Sequence, residues 1–158
     1  MEVINLGFSG NALLDLDIAQ LMASVETPAV YVLDNAPNCR ADRINAHSVE
    51  FFRVLRDAHP DVPVVIVEHP LYPTMRLNIG EREDIIARNN AQKAFYETLR
   101  KSGEKRVYYV SAEKLLDEMK EGTVDGDHFT DLGVTYYVKS VLPTIKKALK
   151  ASPNKVGK

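Results

Sequence analysis

The chain has 158 residues, 45% of them apolar and 27% charged, with a formal net charge of −2. That size suits one compact domain with a single core, and the composition excludes a disordered or collagen-like chain. No run approaches the roughly eighteen consecutive apolar residues of a membrane span. The near-neutral charge leaves no electrostatic footprint for nucleic acid, and the lysines near the C-terminus read as a solvated helix end.

Four short apolar runs, rich in β-branched or aromatic residues and ended by Gly, Asn, Pro or Asp, are predicted as buried parallel strands: residues 3–6, 29–33, 64–67 and 106–110. A short helix is expected after the first, over about 13–25, with Ser9 or Asn11 as its cap. After the second, Ile44, Ser48, Phe51, Phe52 and Leu55 recur at helical steps. A long connection follows the third strand, then a helix over about 81–101 that Ser102 and Gly103 close. The last helix opens at Thr130 as N-cap, and Pro143 inside it predicts a kink or restart. Strands alternating with helices imply right-handed crossovers and a three-layer α/β/α sandwich around a parallel, flavodoxin-like sheet. Residues 1–150 make this one domain, and 151–158 read as a disordered tail.

Ligands of such sheets bind beyond the carboxyl ends of the strands, so the residues that follow each strand carry the chemistry. Asp125-Gly126-Asp127-His128 precedes the last helix. A carboxylate three residues before a histidine can orient the ring and stabilise its protonated form, leaving the other ring nitrogen as general base. The alternative is a surface turn whose carboxylates favour a helix entry. Gly10 after the first strand and Asn38 after the second would complement that base, a backbone N–H and a side-chain amide both being donors suited to an oxyanion. Each alone also reads as a turn glycine or a helix cap. Glu68 and His69 follow the third strand and read either as pocket-lining or, the favoured alternative, as loop residues fixed by Pro70; His47 and His59 read as structural or solvated. No His, Cys or carboxylate spacing suits a metal, and Gly7 to Gly10 is too short for a nucleotide-binding loop. No cofactor is therefore expected.

Together these segments resemble the SGNH hydrolase family, the GDSL-type esterases and lipases, and especially its bacterial carbohydrate-esterase-like branch. Residues 3–11, ending Gly7-Phe8-Ser9-Gly10-Asn11, are similar to the second conserved block, and the resemblance implies that Gly10 gives an oxyanion N–H. Val32-Leu33-Asp34-Asn35-Ala36-Pro37-Asn38 resembles the third, with Asn38 in the oxyanion position and Asn35 as the weaker candidate. Residues 125–133 resemble the fifth and imply Asp125 as acid and His128 as base, with Asp127 a neighbour.

The family's first block, a strand and turn ending in a nucleophilic Ser, has no counterpart here, so the chain resembles the family minus its first strand and helix. Ser9 is the alternative nucleophile, although Ser9-Gly10-Asn11 matches the second block better. In the resembled fold the absent strand lies between the first two seen here. Either those strands close up, a second chain fills the gap by self-association, or the natural protein is longer; a truncated gene model is the expectation. The resemblance implies a serine ester hydrolase acting on small-molecule or carbohydrate esters, with acetyl or other acyl groups, in a periplasmic or secreted setting, although no signal peptide is visible. A catalytically inactive domain that binds carbohydrate or a protein partner is the rival.

Overall fold

A computed structural model of the chain describes residues 2–115 and 121–154. Val, Ile and Tyr, whose branched or aromatic side chains suit a pleated surface, form β1 (Tyr31–Leu33), β2 (Val64–Val67) and β3 (Val107–Val110). The three pair in parallel in the order β1-β2-β3, with Tyr31 opposite Val64 and Val64 opposite Val107. All four residues of β2 are buried, as befits the middle strand of a sheet covered on both faces.

Because side chains alternate along a strand, β2 feeds two cores. Val64 and Ile66 join Tyr31 and Leu33 beneath α1 (Leu16–Ala23), α2 (Ala41–Ala58) and α3 (Ile79–Lys101), which contribute Ala19, Phe51, Phe52, Leu55, Phe95 and Leu99. Val65 and Val67 turn the other way and pack with Val110, Leu115, Val141 and Ala148, the last two from α4 (Asp131–Lys150). Among the described residues α4 alone covers this second face, and it lies over β2 and β3. β1 is an edge strand, with Val32 at 37% exposure, and Val134, Val138 and Leu142 of α4 are exposed as well.

Residues 3–6 do not form the expected strand. Val3 and Ile4 are exposed, and the hydrogen bonds nearby are local: Phe8 N–H to the Leu6 carbonyl, and Gly7 N–H to Asn5 Oδ1. An apolar run becomes a strand only when a neighbour takes its N–H and C=O groups, and no described residue does so. The helix after this segment also starts later than expected. Leu14 adopts a left-handed φ of 60°, which breaks any earlier helix, so Asp15 rather than Ser9 or Asn11 is the N-cap of α1.

The remaining boundaries fall close to expectation. Asn78 caps α3 by accepting the Glu81 N–H, Ser102 ends it, and Gly103 follows at φ 94°. α4 runs through Pro143 without restarting, since Val141 and Ile145 on either side both pack onto the sheet. After α4, the Asn154 amide donates to the Pro28 carbonyl at 2.8 Å. The rest of the expected tail, residues 155–158, lies outside the described residues. Among the described residues no helix is long and apolar enough to cross a membrane, and no group of His, Cys, Asp or Glu is arranged to hold a metal ion.

Candidate active site

The loop that carries Asp125 and His128 is fixed by the start of α4. Thr130 Oγ1 accepts the Gly133 N–H at 3.1 Å and donates to the Glu121 carbonyl at 3.0 Å, so one side chain caps the helix and ties back the incoming chain. The Thr130 N–H donates to the Gly122 carbonyl, the Val124 N–H to the His128 carbonyl, and Thr123 bridges Phe129 in antiparallel fashion. Residues 122–130 thus close on themselves. Gly133 permits this approach: a Cβ there would lie 1.9 Å from the Gly122 carbonyl oxygen.

At the tip, Asp125 Oδ1 accepts the N–H groups of Asp127 and His128 at 3.0 and 2.8 Å. This Asx turn, with Gly126 at φ 96°, aims the second oxygen at the ring, where Oδ2 lies 2.8 Å from His128 Nδ1. The contact favours the tautomer with a proton on Nδ1 and leaves Nε2 without a partner among the described residues. The backbone N–H of His128, its ring and the Asp127 N–H together hold the Asp125 carboxyl far below the ordinary carboxylate range. The hydrogen bond and charge of Asp125, with the charge of Asp127, push the His128 pKa upward. The side chains of Asp125 and His128 are 55% and 79% exposed, so water screens the pair and its role is orientation rather than stability.

His128 and Asp127 open on a cavity of about 230 Å³. Its opposite rim is the loop after β1, where Asn38 stands. The N–H groups of Asn38 and Cys39 both donate to the Asn35 carbonyl, at 3.0 and 2.9 Å, and Arg88 holds the same loop through the Ala36 and Pro37 carbonyls. The turn separates two asparagines that look alike in sequence. Asn38 is exposed toward the cavity, whereas Asn35 is 5% exposed and its Oδ1 accepts from Gln92 Nε2 at 3.1 Å. Gln92 is fully buried and also donates to the Val67 carbonyl at 3.0 Å.

Rings of Tyr72, Phe129 and Tyr137 wall the same cavity, with Phe129 5.2 Å from Tyr137 and 6.3 Å from Tyr72 between centroids. The Tyr137 hydroxyl donates to Asp34 Oδ2 at 2.5 Å, joining α4 to the end of β1. Surrounding protein pushes the Asp34 carboxyl above its ordinary pKa, and the Tyr137 hydrogen bond opposes this. Asp34 nevertheless keeps a solvent-facing side, and that accessible surface decides what a ligand would meet.

Gly10 and Ser9 are not brought to this cavity. Both are exposed in a turn, Gly10 at φ 68° with open space around it, because residues 3–6 do not anchor that turn to the sheet. A wider hollow of about 480 Å³, lined by Leu13, Asn38, Arg40 and Arg43 among others, holds neither Asp125 nor His128.

Glu68 and His69, just after β2, are internal braces. Glu68 accepts from the Tyr109 hydroxyl and the Ala112 N–H. His69 is buried with Nδ1 at the Pro70 carbonyl, and burial lowers its pKa. His59 Nε2 meets the Ala23 carbonyl at 3.0 Å.

Asn38 and the Asp125–His128 pair thus border one cavity beside the parallel sheet. Residues 1–146 match the model of the GDSL-like lipase/acylhydrolase family, and the chain belongs to that family. Among solved structures, a GDSL-like lipase from Bacteroides ovatus is 34% identical with a TM-score of 0.87, over 97% of this chain and 45% of that one. The salicylyl-acyltransferase SsfX3 from a tetracycline biosynthetic pathway, at 18% identity and a TM-score of 0.68 over 91% of this chain and 44% of that one, shares the fold. The chain thus spans less than half the length of either structure. No curated protein matches it.

Proposed function

We propose that the chain is the acid-base and oxyanion portion of a serine ester hydrolase acting on acyl or acetyl esters of carbohydrates, with the nucleophilic serine supplied from outside these residues. One observation carries the reading: an Asx-turn carboxylate holds His128 by Nδ1, at the rim of a cavity that Asn38 also lines. In the reaction a serine Oγ attacks the ester carbonyl while His128 Nε2 takes its proton. The Asn38 amide and the Gly10 N–H donate to the oxyanion, and His128 returns the proton to the departing sugar oxygen. Water then attacks the acyl-enzyme carbonyl as the same nitrogen takes its proton, and His128 returns that proton to the departing serine Oγ, releasing the acid. Asp125 keeps the ring in the required tautomer throughout.

Gly10 can reach the oxyanion only if residues 3–6 join the sheet, which requires a strand between them and β1. The open side of β1 and its uncovered Val32 support such an addition, either from an upstream segment or from a second chain. A second reading, an inactive domain that binds carbohydrate or a protein through the same cavity, draws support from a lining that contains no serine among the described residues.

Hydrolysis of p-nitrophenyl acetate separates the two. Turnover by an upstream-extended form, absent from the 158-residue chain and lost in His128→Ala, is the expected result. No turnover in either form refutes the esterase reading.

A further inference from the structure

The cavity beside His128 has a chemistry of its own that selects what enters. Among the described residues its lining contains no Lys or Arg, and Asp34 and Asp127 both border it. The Tyr137 hydroxyl has one proton and commits it to Asp34 Oδ2, which fixes the carboxylate in one orientation. Asp34 Oδ1 has no partner among the described residues and is an open acceptor. Around it stand the ring faces of Tyr72, Phe129 and Tyr137, suited to C–H surface rather than to charge.

A ligand in this space meets acceptors and aromatic faces; the donors are Asn38 and His128 on the rim and the Tyr72 hydroxyl, which is hydrogen-bonded to Asp127. Hydroxyl donors on a compact apolar ring satisfy every part of that description. A carboxylate or phosphate does not: it would leave Asp34 Oδ1 without a donor and set like charges together.

We infer that Asp34, held by Tyr137, is a specificity-determining residue that accepts a hydrogen bond from a hydroxyl of a neutral sugar or polyol and turns away anionic substrates. The inference rests on the esterase reading for the cavity's role in turnover, but its binding test does not.

The chain itself, labelled with ¹⁵N, is titrated with methyl β-D-glucopyranoside and with its uronate, methyl β-D-glucopyranosiduronate, which differs by one carboxylate. The expected result is saturable shifts at the Asn38 and His128 amides with the neutral glycoside, and binding at least about tenfold weaker with the uronate, the scale of a lost charge-assisted hydrogen bond. Asp34→Asn should weaken the glycoside and narrow the gap between the two probes. Tyr137→Phe, which frees the carboxylate to rotate, should weaken the glycoside and leave the uronate excluded.

Equal binding of the two probes by wild-type protein, or no shift with the glycoside, overturns the inference. So does an Asp34→Asn variant, folded by circular dichroism, that binds as wild type does. Glycoside binding that depends on Asp34, together with an extended form inert toward p-nitrophenyl acetate, would uphold this inference and remove the esterase reading. Turnover of neutral and anionic sugar esters at equal rates would do the reverse.

Discussion

Gly133→Ala sets two effects of opposite sign against each other. Alanine is favoured over glycine inside a helix by about 1 kcal/mol, so an open site on α4 would gain stability. Here the added Cβ would stand 1.9 Å from the Gly122 carbonyl oxygen, 2.9 Å from its carbon and 3.2 Å from Phe129 Cβ. Non-bonded carbon contacts settle near 3.5–4.0 Å, so relief requires a shift of more than about an ångström. Neither partner moves freely, because the Thr130 cap and the bond from the Thr130 N–H to the Gly122 carbonyl tie the helix start to the loop. Overpacking against backbone belongs at the upper end of the usual cost, about 3 kcal/mol, which leaves a net loss of about 2 kcal/mol after the helix gain. For a domain of this size that corresponds to a fall in Tm of about 4–8 °C. Thermal unfolding followed by circular dichroism measures it, and the amide resonances of residues 122–130 should move furthest. A Tm equal to or above wild type would mean that helix propensity governs the site and the close approach is not real.

Asp125→Asn removes the charge that raises His128 and keeps the side chain's shape. Since the folded His128 pKa lies above its ordinary 6.5, the pair's contribution is complete below that value and fades as pH climbs through the folded pKa. On the Asp125 side, held well below the carboxylate range, it is present above the ordinary carboxylate pKa and disappears as pH falls through the depressed one. A proton NMR titration of the His128 ring should give a midpoint above 6.5 in wild type and a lower one in the variant; coincident midpoints would contradict the pairing. Gln92→Leu strands the Val67 carbonyl and Asn35 Oδ1, each buried acceptor costing about 1–3 kcal/mol. Urea unfolding should show a loss of about 2–6 kcal/mol at unchanged slope, and a loss under about 0.5 kcal/mol would refute the bracing role.

Where the governing signal is local, the sequence reads correctly. The Thr130 cap, the Ser102-Gly103 stop and the three-residue step from Asp125 to His128 each specify their own structure within a few residues, and the runs 64–67 and 106–110 find each other as partners. Residues 3–6 carry the same kind of apolar run yet form no strand, because a ladder is a property of two segments and the pattern describes one. The position of Gly10 fails for the same reason, its turn depending on that ladder. Nor does pattern tell Asn35 from Asn38: which one faces the cavity is decided by the turn closed on the Asn35 carbonyl and by Gln92 arriving from α3. The contact of Tyr137 with Asp34 joins positions 103 residues apart, and the only hint of it is that Asp34 follows a strand at the ligand-binding edge.

The closed loop from 122 to 130 makes Asp125 and His128 a cassette. Their mutual placement requires almost no loop-closure entropy, whereas bringing either to Asn38 means closing a long stretch of chain. The two sides of the cavity should therefore come apart at different points as the protein loosens: strain or mild denaturant that loosens the β1 edge would displace Asn38 while His128 still titrates as a carboxylate-paired histidine. An imidazole with its folded-state pKa would then report an intact loop, and nothing about whether Asn38 still faces it.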